Sequence, residues 1–423
     1  MIIGAGFAGI ACARRLGDRG VSVTLVDRHN YNQFQPLLYQ VATAQVASAN
    51  VARPLREVFR RHPTVEVKLA CVSAVAPATK TVTCVDGTAF HGDYLVLAAG
   101  SQPHYFDTPG ADTHAFPLYA LADAERLRSR IFEVFEDADR DRSVIAKGAL
   151  NIVVVGGGPT GVETAGALAD LVREVMPSRY HDLDVAAARV TLVDPAHIVL
   201  SGFSTRAQAY AAQALRSKGV DLELGVKVSD IAADRVTLSD GRQILTRTVV
   251  WAGGIRPAGV IGNAGIAAGH GGRIDVQPDL TVAGFDGIYA LGDAANTRAA
   301  DGTMLPLLGS VAVQAGRCVA DNILADIAGS PRSPFRYRDK GIMAMIGRNA
   351  AIFEIGRRRR ELHGVLAFGA WLGVHAWLLS GFRERATALW AWGWDYFTRN
   401  RAPSIIGPDA ERIDWQDTTS TGT

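Results

Sequence analysis

The chain has 423 residues, 48% of them hydrophobic and 20% charged, with a formal net charge of +2. That length suits two or three domains at roughly 150 residues each, and the absence of any collagen-like period or low-complexity run excludes a fibrous chain. Four cysteines (Cys12, Cys71, Cys84, Cys318) are too few and too scattered for a disulfide framework. None pairs at CxxC spacing, which excludes a zinc knuckle or a dithiol redox centre and makes a reducing compartment the default.

The first residues run straight into a glycine loop, so no signal peptide is read. The opening IIGAGFAGIACARRL sets Gly4, Gly6 and Gly9 in a GxGxxG pattern between a short apolar run and a helical pattern. VSVTLVD follows and ends in Asp27, 23 residues after Gly4. This is the βαβ dinucleotide unit. The first glycine makes the tight turn, the second admits the pyrophosphate, and the third lets helix and strand approach. Phosphate charge suits the free amides and dipole of the helix N-terminus, and Asp27 can accept a ribose hydroxyl. Only three residues precede Gly4, against a usual five or six, so the strand is expected to start upstream of Met1.

The signal repeats at NIVVVGGGPTGVETAGALAD, with Gly156, Gly158 and Gly161. ARVTLVDPA closes this second unit at Asp194, 38 residues after Gly156, so the helix or its following loop carries extra length. Asp194 favours NADH over NADPH because a carboxylate repels a 2′-phosphate; the plain alternative is a strand-end turn residue before Pro195. Two fingerprints 152 residues apart call for two nucleotides, and the usual reason to hold two is to pass a hydride between them. The acidic stretch 123–142 between them reads as an amphipathic connecting helix. In DGIYALGDAA, apolar residues precede Gly292-Asp293, which is expected to open a helix.

The fold class is therefore α/β, with two Rossmann-like domains and a C-terminal amphipathic membrane-associating segment. Expected boundaries are 1–110 for the first part of one dinucleotide domain, 111–255 for the second, 256–330 for the return to the first, and 331–423 for the C-terminal region. Between Arg332 and Arg401 there are thirteen Arg/Lys against five Asp/Glu, a net of +8 that leaves −6 for the rest of the chain. Five of the seven tryptophans (Trp371, Trp377, Trp390, Trp392, Trp394) lie in the same region. The segment 362–382 carries no Asp, Glu, Lys or Arg. Its glycines and histidines, with Arg357–Arg360 on one flank and Arg383 and Arg385 on the other, favour a hairpin or in-plane helix on an anionic membrane over a spanning helix. Subunit interface or core is the other use of these aromatics, so a homodimer stays open. Nucleic-acid binding has little support, since the basic residues cluster with tryptophans. No metal cluster or catalytic triad is read.

Several stretches resemble two-dinucleotide-domain flavoprotein reductases. In that pattern the turn at Gly292-Asp293 holds the flavin ribityl chain through Asp293. YLVLAAGSQP, with Gly100, resembles the turn that returns the chain to the FAD domain, and VVWAGGIRP resembles its counterpart leaving the NAD domain. FQPLLYQVATAQVASANVARPLR, GVETAGALADL, YRDKGIMAMIGRNAA and GFRERATALWAWGWDYFTRNR narrow the resemblance to the type II NADH dehydrogenases, single-chain NADH:quinone oxidoreductases that do not pump protons. The resemblance implies FAD and NADH as cofactors, hydride transfer to flavin N5, and quinone reduction at the cytoplasmic face of a membrane on which the enzyme lies. It places Pro36, Leu38, Tyr39, Gln40 and Ala42 near the flavin ring and Glu163 at the nicotinamide–flavin contact, for which the plain alternative is a helix first-turn acid. There is one departure. In LPLLGSVAVQAGR, Gly309-Ser310 stands where many members carry Ala-Gln, while Gln314 keeps the second glutamine, as a quinone contact or an ordinary helix residue. Two other classes remain open on the residues alone: a soluble NADH-dependent reductase of a redox protein, and a non-catalytic nucleotide-binding flavoprotein.

Overall fold

The computed structural model describes residues 1–356, 359–401 and 403–407. The chain begins with β1 (Ile2–Ile3), a glycine turn, α1 (Phe7–Gly17) and β2 (Val23–Asp27). A short buried helix, α2 (Leu38–Ala42), precedes β3 (Val65–Leu69) and β4 (Leu95–Leu97). The chain then leaves on β5 (Ser101–Pro103) for the second unit, whose first strand is β6 (Ala115–Pro117). There follow the 20-residue α3 (Leu121–Arg140), β7 (Asn151–Val155), α4 (Pro159–Asp170), β8 (Arg189–Asp194), α5 (Thr205–Ser217), β9 (Val220–Leu224) and β10 (Thr248–Trp251). It returns on β11 (Ile255–Pro257), which pairs antiparallel with β5 in the register Gln102↔Arg256. After β12 (Ile288–Ala290) come α6 (Gly309–Ile327), an antiparallel sheet of β13 (Ile342–Gly347), β14 (Ala350–Ile355) and β15 (Arg360–His363), and a pair of helices, α7 (Val365–Leu378) and α8 (Phe382–Thr398).

Two five-stranded parallel sheets carry the architecture, in the orders β12-β4-β1-β2-β3 and β6-β10-β7-β8-β9. Both faces of a parallel sheet are covered by helices, so its strands read as continuous apolar runs. NIVVV and RVTLVD are such runs, and Ile152, Val153, Val154 and Leu192 are fully buried. β12 comes from beyond the second unit yet completes the first sheet beside β4, so the second unit is an insertion into the first. The 38-residue interval after Gly156 is taken up beyond α4 by a π-turn at Leu171–Val175, two 3₁₀ turns and the loops around them.

Gly292-Asp293 does not open a helix. Residues Gly292–Ala294 form one 3₁₀ turn, after which Ala295–Asn296 extends to pair with Ile274–Asp275. The helix expected there starts at Gly309, beyond a loop that contains Pro306, and packs along α1.

Candidate functional site

The two glycine turns solve the same steric problem with the same three positions. Gly4 (φ +99°) and Gly156 (φ +115°) lie in the left-handed region, and a Cβ there would sit 2.3 Å from the Ala98 carbonyl oxygen and 2.6 Å from that of Ala252. A Cβ on Gly9 or Gly161 would lie 1.9 or 1.8 Å from the carbonyl oxygen of Gly4 or Gly156, so only glycine lets each helix close on its strand. The middle glycines differ: a Cβ on Gly6 or Gly158 would meet nothing within 4 Å. Each is the N-cap of its helix, without a side-chain cap, and so borders open space in front of free backbone amides. That is the form a pyrophosphate needs, and the residues present fit two dinucleotides.

Asp27 and Asp194 anchor these turns in parallel ways. Asp27 accepts from the backbone amides of Ala5 (2.6 Å) and His29 (2.7 Å). Asp194 accepts from Gly157 (2.5 Å) and Ala196 (2.7 Å). A carboxylate offers about four acceptor sites, so each acid can brace its loop and still take a ribose hydroxyl. Asp194 is thus also a strand-end turn residue, as its plain alternative had it. At the return to the first sheet, Asp293 accepts from Ser101 Oγ (2.7 Å), which also meets Tyr119 Oη (2.6 Å). Burial pushes the Asp293 carboxyl up, against the pull of the Ser101 bond. Gly100 (φ +70°) makes the turn that aims Ser101 at Asp293. Ser101 and Tyr119 were not legible as site residues, because the contact spans 192 residues of sequence.

A second cluster forms where α2, α4 and β13 meet. Gln40 is fully buried; its Nε2 donates to Tyr39 Oη (3.2 Å), and its Oε1 accepts the indole N–H of Trp392 (2.7 Å). Tyr39 Oη donates in turn to the Met345 sulfur (3.4 Å). Glu163 lies in the second turn of α4, not the first, and is 8% exposed, so it is no surface acid offsetting the helix dipole. Its Oε1 accepts the Met345 amide (3.1 Å). Burial pushes the carboxyl up to about 8, opposed by the Met345 amide and by the Trp371 indole. The indole N–H makes no hydrogen bond of good geometry, so the Met345 amide is the firm donor. Met345 and Trp392 gave no sequence signal for this role.

The sequence and fold comparisons bear on these features together. Residues 1–316 match the model of the pyridine nucleotide-disulphide oxidoreductase family. Two Mycobacterium tuberculosis proteins, the type II NADH:quinone oxidoreductases Ndh and NdhA, are each 33% identical over 96% of this chain and 89% and 88% of their own lengths. The chain belongs to the type II NADH:quinone oxidoreductases. It is with them an FAD-dependent, non-proton-pumping oxidoreductase. Among solved structures, NDH2 from Plasmodium falciparum in complex with NADH superimposes with a TM-score of 0.87 at 16% identity, over 96% of this chain and 99% of that one. The sulfide:quinone oxidoreductase of Aquifex aeolicus gives 0.72 at 17% identity, over 94% and 95%. At those identities the two structures support the fold alone.

The helical pair at the C-terminus lies beyond the residues that match the family model. Trp371 (0% exposed) and Trp392 (5%) seat α7 and α8 on the core, while Trp377, Trp390, Phe382 and Phe397 stand out at 72–87% exposure. Trp394 is also exposed, so the tryptophans divide between seat and surface. No helix among the described residues is long and apolar enough to cross a membrane. Arg357 and Arg358, two of the expected basic flank, lie outside the described residues. Arg401 pins the far end of the pair: it donates to the Thr43 carbonyl (3.0 Å) and meets Asp395 (3.1 Å), which accepts from Gln45 (2.9 Å). Arg53 donates to the Ser380 carbonyl at the loop between the helices. In the wedge between α7 and α8 lies a cavity of about 350 Å³ lined by Phe368, Leu372, Trp392, Tyr396, Met345 and Arg348. Gln314 is not brought to either cluster. Its amide donates to the Arg338 carbonyl (3.0 Å) and accepts the Arg338 amide (3.0 Å), which fixes the strand approach instead, and the neighbouring Ser310 pairs with Tyr337 (2.9 Å).

Proposed function

We propose that the two cradles and the buried Gln40–Glu163 cluster divide the labour of NADH:quinone oxidoreduction between the expected regions, with 1–110 and 256–330 holding FAD, 111–255 holding NADH, and 331–423 meeting the membrane. The observation that carries this is the pair of open middle glycines, Gly6 and Gly158, each at a helix N-terminus with its brace of Asp27 or Asp194. FAD, when bound, supplies the two-electron relay between NADH and quinone. The amides after Gly6 and Gly158 bind the pyrophosphates, Asp293 takes the ribityl hydroxyl, and Asp194 takes the NADH adenosine ribose and repels a 2′-phosphate. Glu163 holds a proton at neutral pH beside the reacting centre. Tyr39 and Gln40 pack beside it in one hydrogen-bond chain with Met345, and α7 and α8 keep bulk water away. Quinone reaches the cluster through the wedge between those helices, whose floor is Met345 and Trp392. A soluble reductase of a protein partner is less well supported, because the exposed aromatics suit a bilayer.

The exposed aromatics lie in the headgroup region of the cytoplasmic leaflet, and Arg383 and Arg385 with the other C-terminal arginines meet anionic lipid. Anaerobic stopped-flow absorbance tests the redox reading: NADH should bleach the bound flavin, and a short-chain quinone should restore it. Bleaching without restoration removes the quinone. For the membrane reading, the triple variant Trp377→Ser, Phe382→Ser, Trp390→Ser should lose co-flotation with anionic vesicles and keep turnover with soluble quinone. If the variant still floats, or the wild type is a dimer that does not float, the bilayer assignment fails and a subunit interface takes its place.

A further inference from the structure

We infer that Trp392 is a positioning residue for the flavin site: its indole N–H fixes the amide of Gln40, and so ties the Gln40–Tyr39–Met345 hydrogen-bond chain beside that site to the seating of the membrane-lying helix α8. This rests on the reading above that α2 lies against the flavin ring. The two residues are 352 positions apart, both buried, and their 2.7 Å contact is the only one in the described residues that spends the Gln40 oxygen.

An amide side chain can be turned over without changing its shape, and its hydrogen bonds decide which end points where. Trp392 has a donor and no acceptor, so it admits only the oxygen of Gln40. The NH₂ end is thereby directed to Tyr39 Oη (3.2 Å) and towards the Met345 sulfur, where Tyr39 also donates. Trp392 itself cannot drift. Its ring meets Trp371 edge to face (6.1 Å between centroids), and Trp371 packs the same way against Tyr39 (6.4 Å) and stacks on His375 (3.7 Å). Two further polar contacts run between the same segments, Asp395 with Gln45 and Arg401 with the Thr43 carbonyl, so the C-terminal part of α8 and the residues just after it are keyed to residues 40–45. Trp392 and Met345 also line the wedge cavity, so the cluster borders that cavity.

Trp392→Phe keeps an aromatic ring and removes the N–H. In FAD-loaded protein the oxidised flavin absorbance band should shift, and kcat with a short-chain quinone should fall about tenfold, as expected for loss of one buried hydrogen bond. The KM for NADH should stay within about twofold and the thermal unfolding should remain a single transition. Gln40→Leu should give the same spectral shift and the same loss. The double variant should be no worse than either single, because both remove one interaction. Trp392→His, which can restore a ring N–H, should recover part of both readouts. An unshifted flavin band in Trp392→Phe, or independent additive losses approaching a hundredfold in the double variant, overturns the inference. Should Trp392→Phe not fold, Gln40→Glu decides. It keeps an acceptor for the indole but removes the donor to Tyr39, so an unchanged spectrum there overturns the inference equally. The spectral readout needs no quinone, so failure of the quinone reading and failure of this one give different results.

Discussion

Glutamine at position 163 should abolish a pH dependence that the wild-type protein carries between weakly acid and weakly alkaline conditions. An unfolded chain releases the Glu163 proton near 4.5, whereas burial in the folded protein holds it to about 8. Between those values the folded state binds the additional proton, so stability falls as pH rises; below the lower value and above the upper one the contribution is flat. Each pH unit in the window is worth about 1.4 kcal/mol, so the dependence accumulates to about 5 kcal/mol in all and about 3 kcal/mol by pH 7. Glu163→Gln cannot ionise and keeps a carbonyl oxygen for the Met345 amide, so it should lose the slope without losing the fold. Urea unfolding of wild type and variant across the window gives the difference in slope. Infrared difference spectra give the protonation directly: a carbonyl stretch of a protonated carboxyl should disappear from wild type between about pH 6 and about pH 10 and be absent from the variant. A wild-type spectrum with no such titration, or parallel stability curves for the two proteins, would refute the claim that desolvation dominates this carboxyl.

The glycine logic predicts opposite outcomes within one motif: Gly9→Ala should fail to fold, since its Cβ would lie 1.9 Å from a carbonyl oxygen. Gly6→Ala should fold and bind FAD at least about tenfold more weakly, measured by flavin release on dilution, because only the space before the helix amides is filled. For Asp194→Asn, which keeps an acceptor for the Gly157 amide but drops the charge, the ratio of kcat/KM for NADH over NADPH should fall about tenfold; an unchanged ratio would assign Asp194 to loop bracing alone. Arg401→Ala removes a buried guanidinium and leaves the half-buried Asp395 with the Gln45 amide but no cation, and should cost about 3 kcal/mol in denaturant unfolding. A cost under about 1 kcal/mol would mean that the far end of α8 is not held by this pair.

What could be read from the sequence was what lies within one βαβ unit. Gly4, Gly6 and Gly9, their counterparts at 156–161, and the terminal acids Asp27 and Asp194 sit in windows where strand, turn and helix follow in order, so their spacing carries their geometry. The order of the segments was expected from the resemblance of YLVLAAGSQP and VVWAGGIRP to crossing turns, and the strands at those turns, β5 and β11, pair with each other. Gly292-Asp293 was misread because an apolar strand followed by a glycine, an acid and two alanines has the composition of a helix start. The observed outcome depends on Ala295 pairing with Ile274, which no local pattern announces. Gln314 was read with two uses open, quinone contact or ordinary helix residue, and the pairing of its amide with the Arg338 backbone, 24 residues on, is equally beyond local pattern. The Gln40–Trp392 and Glu163–Met345 contacts lie further still beyond local reading, at separations of 352 and 182 residues.

Those long contacts change the meaning of the C-terminal aromatics. Tryptophans on a bilayer-facing helix would be expected to act through the membrane alone, and Trp377, Trp390 and Trp394 conform to that by their exposure. Trp371 and Trp392 belong instead to the buried seat, where removal of either leaves a void of aromatic size against Tyr39 and Gln40. Truncating the chain before α7 would therefore not produce a soluble version of an otherwise intact reductase. It would strip the cover from α2, free the Gln40 amide and open the cavity floor in one step. A truncated chain that loses activity is consequently no evidence that the membrane is needed for the chemistry. Only variants confined to the outward residues, such as the Trp377, Phe382 and Trp390 triple substitution, can separate attachment from assembly of the flavin pocket.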